Sequence, residues 1–246
     1  MRIAVAGGTG LIGRMVTDAA RSGGHDVVVI SRSGGVDLMT GAGLDDALRG
    51  ADAVIDVANV TTLSRAESVA FFGTTTERLL AAGKRAGVAH HVALSIVGVD
   101  RVESGYYEGK LRQEELVKAG TVPWTILRAT QFFEFAGQIL GRVPGPVAVI
   151  PKMRSQPVAA AEVAAELVRI AVAGPLNRVV EMAGPDRLDI AAMAREVLRA
   201  QGSRRLVLQI PAGRAMAEGG LLPTGEVTLG RMRFAEWLAD TAAPRP

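Results

Sequence analysis

From residue 1 to about residue 130, short β-branched runs alternate with longer stretches whose apolar positions recur at helical spacing. That alternation is the signature of strand-helix-strand units feeding a parallel sheet. It predicts strands over 2–6, 25–31, 36–39, 53–57, 91–95 and 124–129, with helices over 11–22, 44–49, 65–86 and 106–119. Beyond Thr130, prolines at 144, 146, 151, 157, 175, 185, 211 and 223 punctuate shorter elements. Helices are expected there over 159–171, 190–200 and 234–241, with a strand over 179–182, and the tail 241–246 is expected to fray. The reading is an α/β fold, a doubly wound parallel sheet, in one domain spanning 1–246. Residues 1–130 form its core, and 131–246 form mainly a small C-terminal substrate-binding subdomain.

Composition narrows the function classes. Hydrophobic residues are 48% of the chain and aromatics 4%, so Ala, Val, Leu and Ile must build the core, as suits parallel strands covered on both faces. The net charge is only +3, and with no long basic run and few aromatics for base stacking, nucleic acid is not an expected partner. The chain has no cysteine, which removes disulfides and thiolate chemistry. No apolar run approaches the roughly 20 residues of a membrane-spanning helix, and the start of the chain does not read as a leader peptide. A cytoplasmic protein is expected.

Directly after the first strand comes Gly7-Gly8-Thr9-Gly10-Leu11-Ile12-Gly13. Gly7 permits the tight strand-to-helix turn, Gly10 lets backbone approach a pyrophosphate, and Gly13 lets the helix pack closely on the sheet. The following helix turns its free amides and positive dipole end toward the phosphates. Between a strand and a helix, the motif predicts a Rossmann-type dinucleotide site held by Gly7, Thr9, Gly10, Leu11, Ile12 and Gly13. The second strand ends in Ser31-Arg32-Ser33, without the acid that would accept from a ribose 2′-hydroxyl and repel a 2′-phosphate. Arg32 can pair with that phosphate and the two serines can donate to it, so NADP is favoured over NAD. Asp37 would reverse the preference if it folded back on the ribose.

Residues 7–13, the run Ala-His-His-Val-Ala-Leu-Ser at 89–95, residues 106–115 and Pro-Trp-Thr-Ile-Leu-Arg-Ala at 123–129 resemble the short-chain dehydrogenase/reductase superfamily, in its atypical NmrA-like and quinone-oxidoreductase-like branch. Tyr106 and Lys110 have the Tyr-x-x-x-Lys spacing that puts two side chains on one helix face. The resemblance implies that Tyr106 is the acid or base, that Lys110 tunes it and holds the nicotinamide ribose, and that Ser95 hydrogen-bonds the substrate carbonyl. A phenol titrates near about pH 10, and an adjacent ammonium favours its ionised form. The stretch 61–89 contains no Asn, so the asparagine of the family proton relay lacks a counterpart. Gly109 inside the motif costs about 1 kcal/mol relative to Ala, which suggests a late helix start or close approach to a ligand.

After the strand over 53–57, Val57, Ala58 and Asn59 are expected to pass beneath the cofactor. After the strand over 124–129, Ala129 and Thr130 are expected at its nicotinamide end, with Gln131, Phe132 and Phe133 toward substrate. His90 and His91 point to opposite faces of a strand and cannot together ligate one ion, so no metal site is expected. These assignments describe an NADP(H)-dependent reductase of a carbonyl or quinone-like small molecule. A dinucleotide-binding redox sensor without chemistry is the alternative, and a cofactor-assisted isomerase or epimerase a third. Whether the chain forms a homodimer is left open.

Overall fold

The computed structural model describes residues 1–211 and 213–242, so positions 243–246 of the tail expected to fray lie outside it. In chain order the elements are β1 (Arg2–Ala6), α1 (Leu11–Ser22), β2 (Asp26–Ile30), α2 (Leu44–Ala47), β3 (Ala53–Asp56), α3 (Arg65–Ala86), β4 (His90–Ile96), α4 (Gly105–Ala119) and β5 (Trp124–Ala129). There follow α5 (Glu134–Arg142), β6 (Val147–Pro151), β7 (Arg154–Ser155), α6 (Ala160–Ala173), β8 (Val179–Ala183), β9 (Leu188–Asp189), α7 (Ile190–Ala200), β10 (Leu206–Ile210), α8 (Arg214–Ala217), β11 (Thr228–Leu229) and α9 (Phe234–Ala242). Contacts gather into two units, one of residues 1–128 with 163–180 and one of 129–162 with 181–246.

In the first unit β1 pairs in parallel with β2 and β3, and β3 with β4. They belong to a seven-stranded sheet of order β11-β8-β5-β4-β3-β1-β2, a mostly parallel, Rossmann-like arrangement. Ala4, Ala6, Ile30 and Val54 of the strands pack with Leu44, Leu48, Leu79 and Ala82, so the core is aliphatic, as the composition required. The long helix α3 starts where the Ser64 hydroxyl accepts from the Glu67 amide at 3.3 Å and ends at Gly87, whose φ of 73° takes the chain out of the helix.

One expected strand is absent. Residues 36–37 are irregular and 38–39 lie in a turn, because Gly35, Gly41 and Gly43 all take positive φ and the Asp37 carboxylate accepts from the Met39 amide at 2.7 Å. Local turn chemistry outweighs the apolar character of Val36 and Leu38, and β2 remains the edge of the sheet. The helix expected over 44–49 is correspondingly short, Leu44–Ala47.

The second unit carries two small sheets that the pattern did not foretell. β6 pairs in parallel with β10, β7 pairs antiparallel with β9, and β11 lies parallel to β8. Asp189 caps α7 by accepting from the amides of Ala191 and Ala192 at 2.9 and 3.2 Å. Phe133, Phe234 and Trp237 form an aromatic cluster with ring centroids 5.5 to 5.7 Å apart.

Candidate active site

The glycine turn is built as its spacing requires. Gly7 has φ of 79°, and a Cβ there would lie 2.7 Å from the Ala58 Cα, while a Cβ on Gly13 would lie 2.6 Å from the Gly8 Cα. Neither position admits a side chain. Gly10 starts α1 with no side-chain cap and no acid in the first turn, so the leading amides have no intrahelical acceptor. A Cβ on Gly10 would meet only the Gly7 carbonyl, at 3.3 Å, which leaves the outer approach open. Uncapped amides, a bare backbone and no competing carboxylate fit the pyrophosphate of a dinucleotide. Arg14 donates to the Thr9 carbonyl at 2.5 Å, bracing the same turn.

At the end of β2, Arg32 is exposed at the start of a short 3-10 turn and, among the described residues, makes no ion pair. The Ser31 and Ser33 hydroxyls lie 3.1 Å apart. The Asp37 carboxylate accepts from the Met39 amide at 2.7 Å.

Helix α4 directs one stripe inward, made of Tyr106, Gly109, Lys110, Gln113, Glu114 and Val117, at the i, i+3, i+4 intervals of one face. Gly105 and Gly109 let this helix lie against α3, since a Cβ on Gly109 would fall 2.6 Å from the Ser68 carbonyl and one on Gly105 2.6 Å from the Leu63 oxygen. The sequence suggested a late helix start or a ligand at Gly109. The helix in fact begins at Gly105, and helix-helix contact accounts for both glycines.

Tyr106 and Lys110 flank the ring of Phe72. The Tyr106 ring meets it edge-on at 5.7 Å, and the Lys110 ammonium stands 4.6 Å from its centroid. The Tyr106 hydroxyl donates to Asn59 Oδ1 at 2.8 Å. Lys110 is 5% exposed, and its Nζ donates to the Leu94 carbonyl at 2.6 Å and to Gln113 Oε1. Gln113 in turn donates to the buried Asp56 carboxylate at 2.8 Å.

Ser95 belongs to a second network. Its hydroxyl donates to Glu114 Oε1 at 2.6 Å, so its one donor is engaged inside the protein. Arg128 grips the same carboxylate through Nε and Nη2, each at 2.8 Å, and reaches Asp100 through Nη1. Lys118 adds a contact at 2.9 Å. Two of the three expected catalytic residues thus share one aromatic ring, while the third faces a salt-bridged carboxylate.

The electrostatics follow from burial and these partners. Burial lowers the Lys110 ammonium to about 8, against the nearby charges of Asp56 and Glu114, which act the other way. For Tyr106, burial and then Tyr107 push the phenol above its ordinary value, opposite to the lowering expected from an adjacent ammonium, so the group is protonated at neutral pH. Burial alone would raise Glu114, yet hydrogen bonds from Arg128, Ser95 and Lys118 outweigh it and hold the carboxyl at about 2. Burial lowers both His90 and His91; His90 shares a 2.9 Å contact with the Thr125 hydroxyl, while His91 Nε2 is buried without a hydrogen-bond partner.

Of the remaining expected residues, Val57 and Ala58 are buried and Asn59 is exposed. In the second unit, Ala129 and Thr130 are each 2% exposed, and the Thr130 hydroxyl donates to the Gln156 carbonyl at 2.6 Å. Gln131 Oε1 accepts from Ser155, and Phe132 is half-buried. Phe133 is 1% exposed within its aromatic cluster, so packing accounts for it and it forms no open substrate wall. Sequence reasoning missed Phe72, Asp56, Gln113 and Glu114, and gave Arg128 no role. The signal available was the polar row at 110, 113 and 114 beside Gly109, together with a lone charged residue, Arg128, in a mostly apolar strand.

The family described as NAD(P)H-binding matches residues 7–174. A reductase from Streptomyces griseus subsp. griseus, named for (4-alkanoyl-5-oxo-2,5-dihydrofuran-3-yl)methyl phosphate, is 32% identical over 144 residues, covering 53% of this chain and 48% of that protein. The chain thus spans about half the length of the curated relative it matches. Among solved structures, a short-chain dehydrogenase/reductase superfamily protein from Agrobacterium tumefaciens with bound NAD superposes with a TM-score of 0.74 at 19% identity, over 98% of this chain and 96% of that one. An NADPH-dependent quinone oxidoreductase from Escherichia coli, complexed with NADPH, gives 0.65 at 19% identity, over 87% and 79%. With the glycine turn, the parallel sheet and a match across more than half its length, the chain belongs to the NAD(P)H-binding family, and it shares its fold with a short-chain dehydrogenase/reductase superfamily protein.

Proposed function

We propose that this protein is an NADP(H)-dependent oxidoreductase that reduces a carbonyl or quinone-like small molecule, with Tyr106 as the acid. The observation that carries the reading is the Tyr106 hydroxyl, held by Asn59 one helical turn from the buried Lys110 ammonium. Reduced nicotinamide, when bound, supplies the hydride. The amides at the start of α1 hold the pyrophosphate, and Arg32 with Ser31 and Ser33 holds the 2′-phosphate. Tyr106, protonated at neutral pH, gives its proton to the substrate oxygen. Lys110, mostly charged at pH 7, stabilises the phenolate left behind and grips the ribose. Ser95 polarises the oxygen only once its hydroxyl turns from Glu114. Gln131 and Phe132 keep their assignment toward substrate. The named activity of the Streptomyces relative supports a reductase, and the bound NADPH of the Escherichia coli structure is compatible with the cofactor.

The test is consumption of NADPH by a panel of quinones, ketones and aldehydes, followed by nicotinamide absorbance. Tyr106→Phe is expected to lower turnover by about 100-fold or more, the range of general acid catalysis, while NADPH affinity stays within about twofold. Full turnover in that variant excludes Tyr106 as the acid. The engagement of Ser95 by Glu114 favours a second reading, a dinucleotide-binding redox sensor. NADPH binding without consumption across the whole panel would support it.

A further inference from the structure

We propose that Asp56 and Gln113 are positioning residues for the catalytic pair, a buried relay that fixes the Lys110 ammonium on one side and the acceptor of the Tyr106 hydroxyl on the other. The inference rests on the roles proposed above for Tyr106 and Lys110. Asp56 ends β3 and is 1% exposed, as is Gln113. One carboxylate oxygen accepts from Gln113 Nε2 at 2.8 Å, and Gln113 Oε1 accepts from Lys110. The other oxygen accepts from the Ala58 amide at 3.0 Å. That bond sets the turn carrying Asn59, whose Oδ1 accepts the Tyr106 hydroxyl. One carboxylate therefore holds both halves of the pair from behind.

The amide has one orientation, because a carboxylate only accepts and an ammonium only donates. Gln113 bridges the ammonium and the Asp56 carboxylate by hydrogen bonds, and the two charges attract across it without a contact ion pair. Two of its three hydrogens are fixed, by Gln113 and Leu94. The charged and titratable groups around it are Asp56 from β3, Glu114 on its own helix with Arg128 paired to it from β5, and Tyr106 one turn back across the Phe72 ring. The absence of the family asparagine from residues 61–89 leaves this work to residues the sequence did not single out.

The test reads the nucleotide-free chain. Lys84, Lys110, Lys118 and Lys152 are labelled with carbon-13 and nitrogen-15, the Lys110 signal is assigned with Lys110→Arg, and its pH titration is followed by NMR. Asp56→Asn and Gln113→Met are each expected to raise the acid dissociation constant of the ammonium about tenfold. The double variant is expected to fall short of the product of the two effects by about threefold or more, the coupling of residues in one network. Independent, multiplying effects, or an unmoved titration in Gln113→Met, overturn the proposal; a merely structural glutamine would lower the urea midpoint without moving Lys110. If Gln113→Met does not fold, isosteric Asp56→Asn decides by itself, its unmoved titration overturning the relay. Because no nucleotide or turnover enters this measurement, its outcome is distinct from that of the NADPH panel.

Discussion

Replacing Glu114 by Gln removes one charge from the most heavily bonded carboxylate in the first unit while keeping its shape. The side chain is 2% exposed and Arg128 12%, so solvent cannot take over the lost partners. Removing one member of a buried pair costs about 3–5 kcal/mol. Arg128 retains Asp100 at 2.8 Å, which argues for the lower end. Titration gives an independent measure. The folded carboxyl is held at about 2 against an ordinary 4.5, an interval worth about 3 kcal/mol. Because the folded value is the lower, this contribution is present above the unfolded value and is lost as pH falls through the folded one. The assay is urea unfolding of wild type and Glu114→Gln at pH 7 and pH 3. The difference should be about 3 kcal/mol at pH 7 and shrink to about 1.4 kcal/mol at pH 3, where wild type has itself lost part of the term. A difference under about 1 kcal/mol at pH 7, the range of an exposed pair, would refute the reasoning.

Gly109→Ala places a methyl against Ser68 of α3 and should cost about 1–3 kcal/mol in urea unfolding, as overpacking does; unchanged stability would mean the two helices separate freely. Phe133→Ala empties a fully buried site, with an expected loss of about 3–5 kcal/mol; a smaller effect with altered substrate KM would return the residue to a substrate wall. Arg32→Ala should weaken NADPH binding about tenfold, equivalent to about 1.4 kcal/mol, and leave NADH binding unchanged in calorimetry. Equal weakening of both would remove the 2′-phosphate assignment.

The sequence by itself determined the frame of this protein. β-branched runs at regular intervals can be buried in few ways, and a glycine triplet between strand and helix states its own backbone requirement; β1, α1, β3, β5 and the turn at Gly7 to Gly13 were legible for that reason. The irregular stretch over 36–39 was not, because left-handed glycines and an aspartate side chain decided a segment whose apolar residues read as a strand. Only the tertiary structure decided the interior of the site. Whether Gln113 and Glu114 lie on the buried face of α4, and whether Ser95 donates to substrate or to Glu114, depends on which distant strands end beside that helix. Periodicity reports apolar faces, whereas a buried polar stripe has no hydrophobic signature and becomes visible only when Asp56, Leu94 and Arg128 arrive from β3, β4 and β5 to satisfy it.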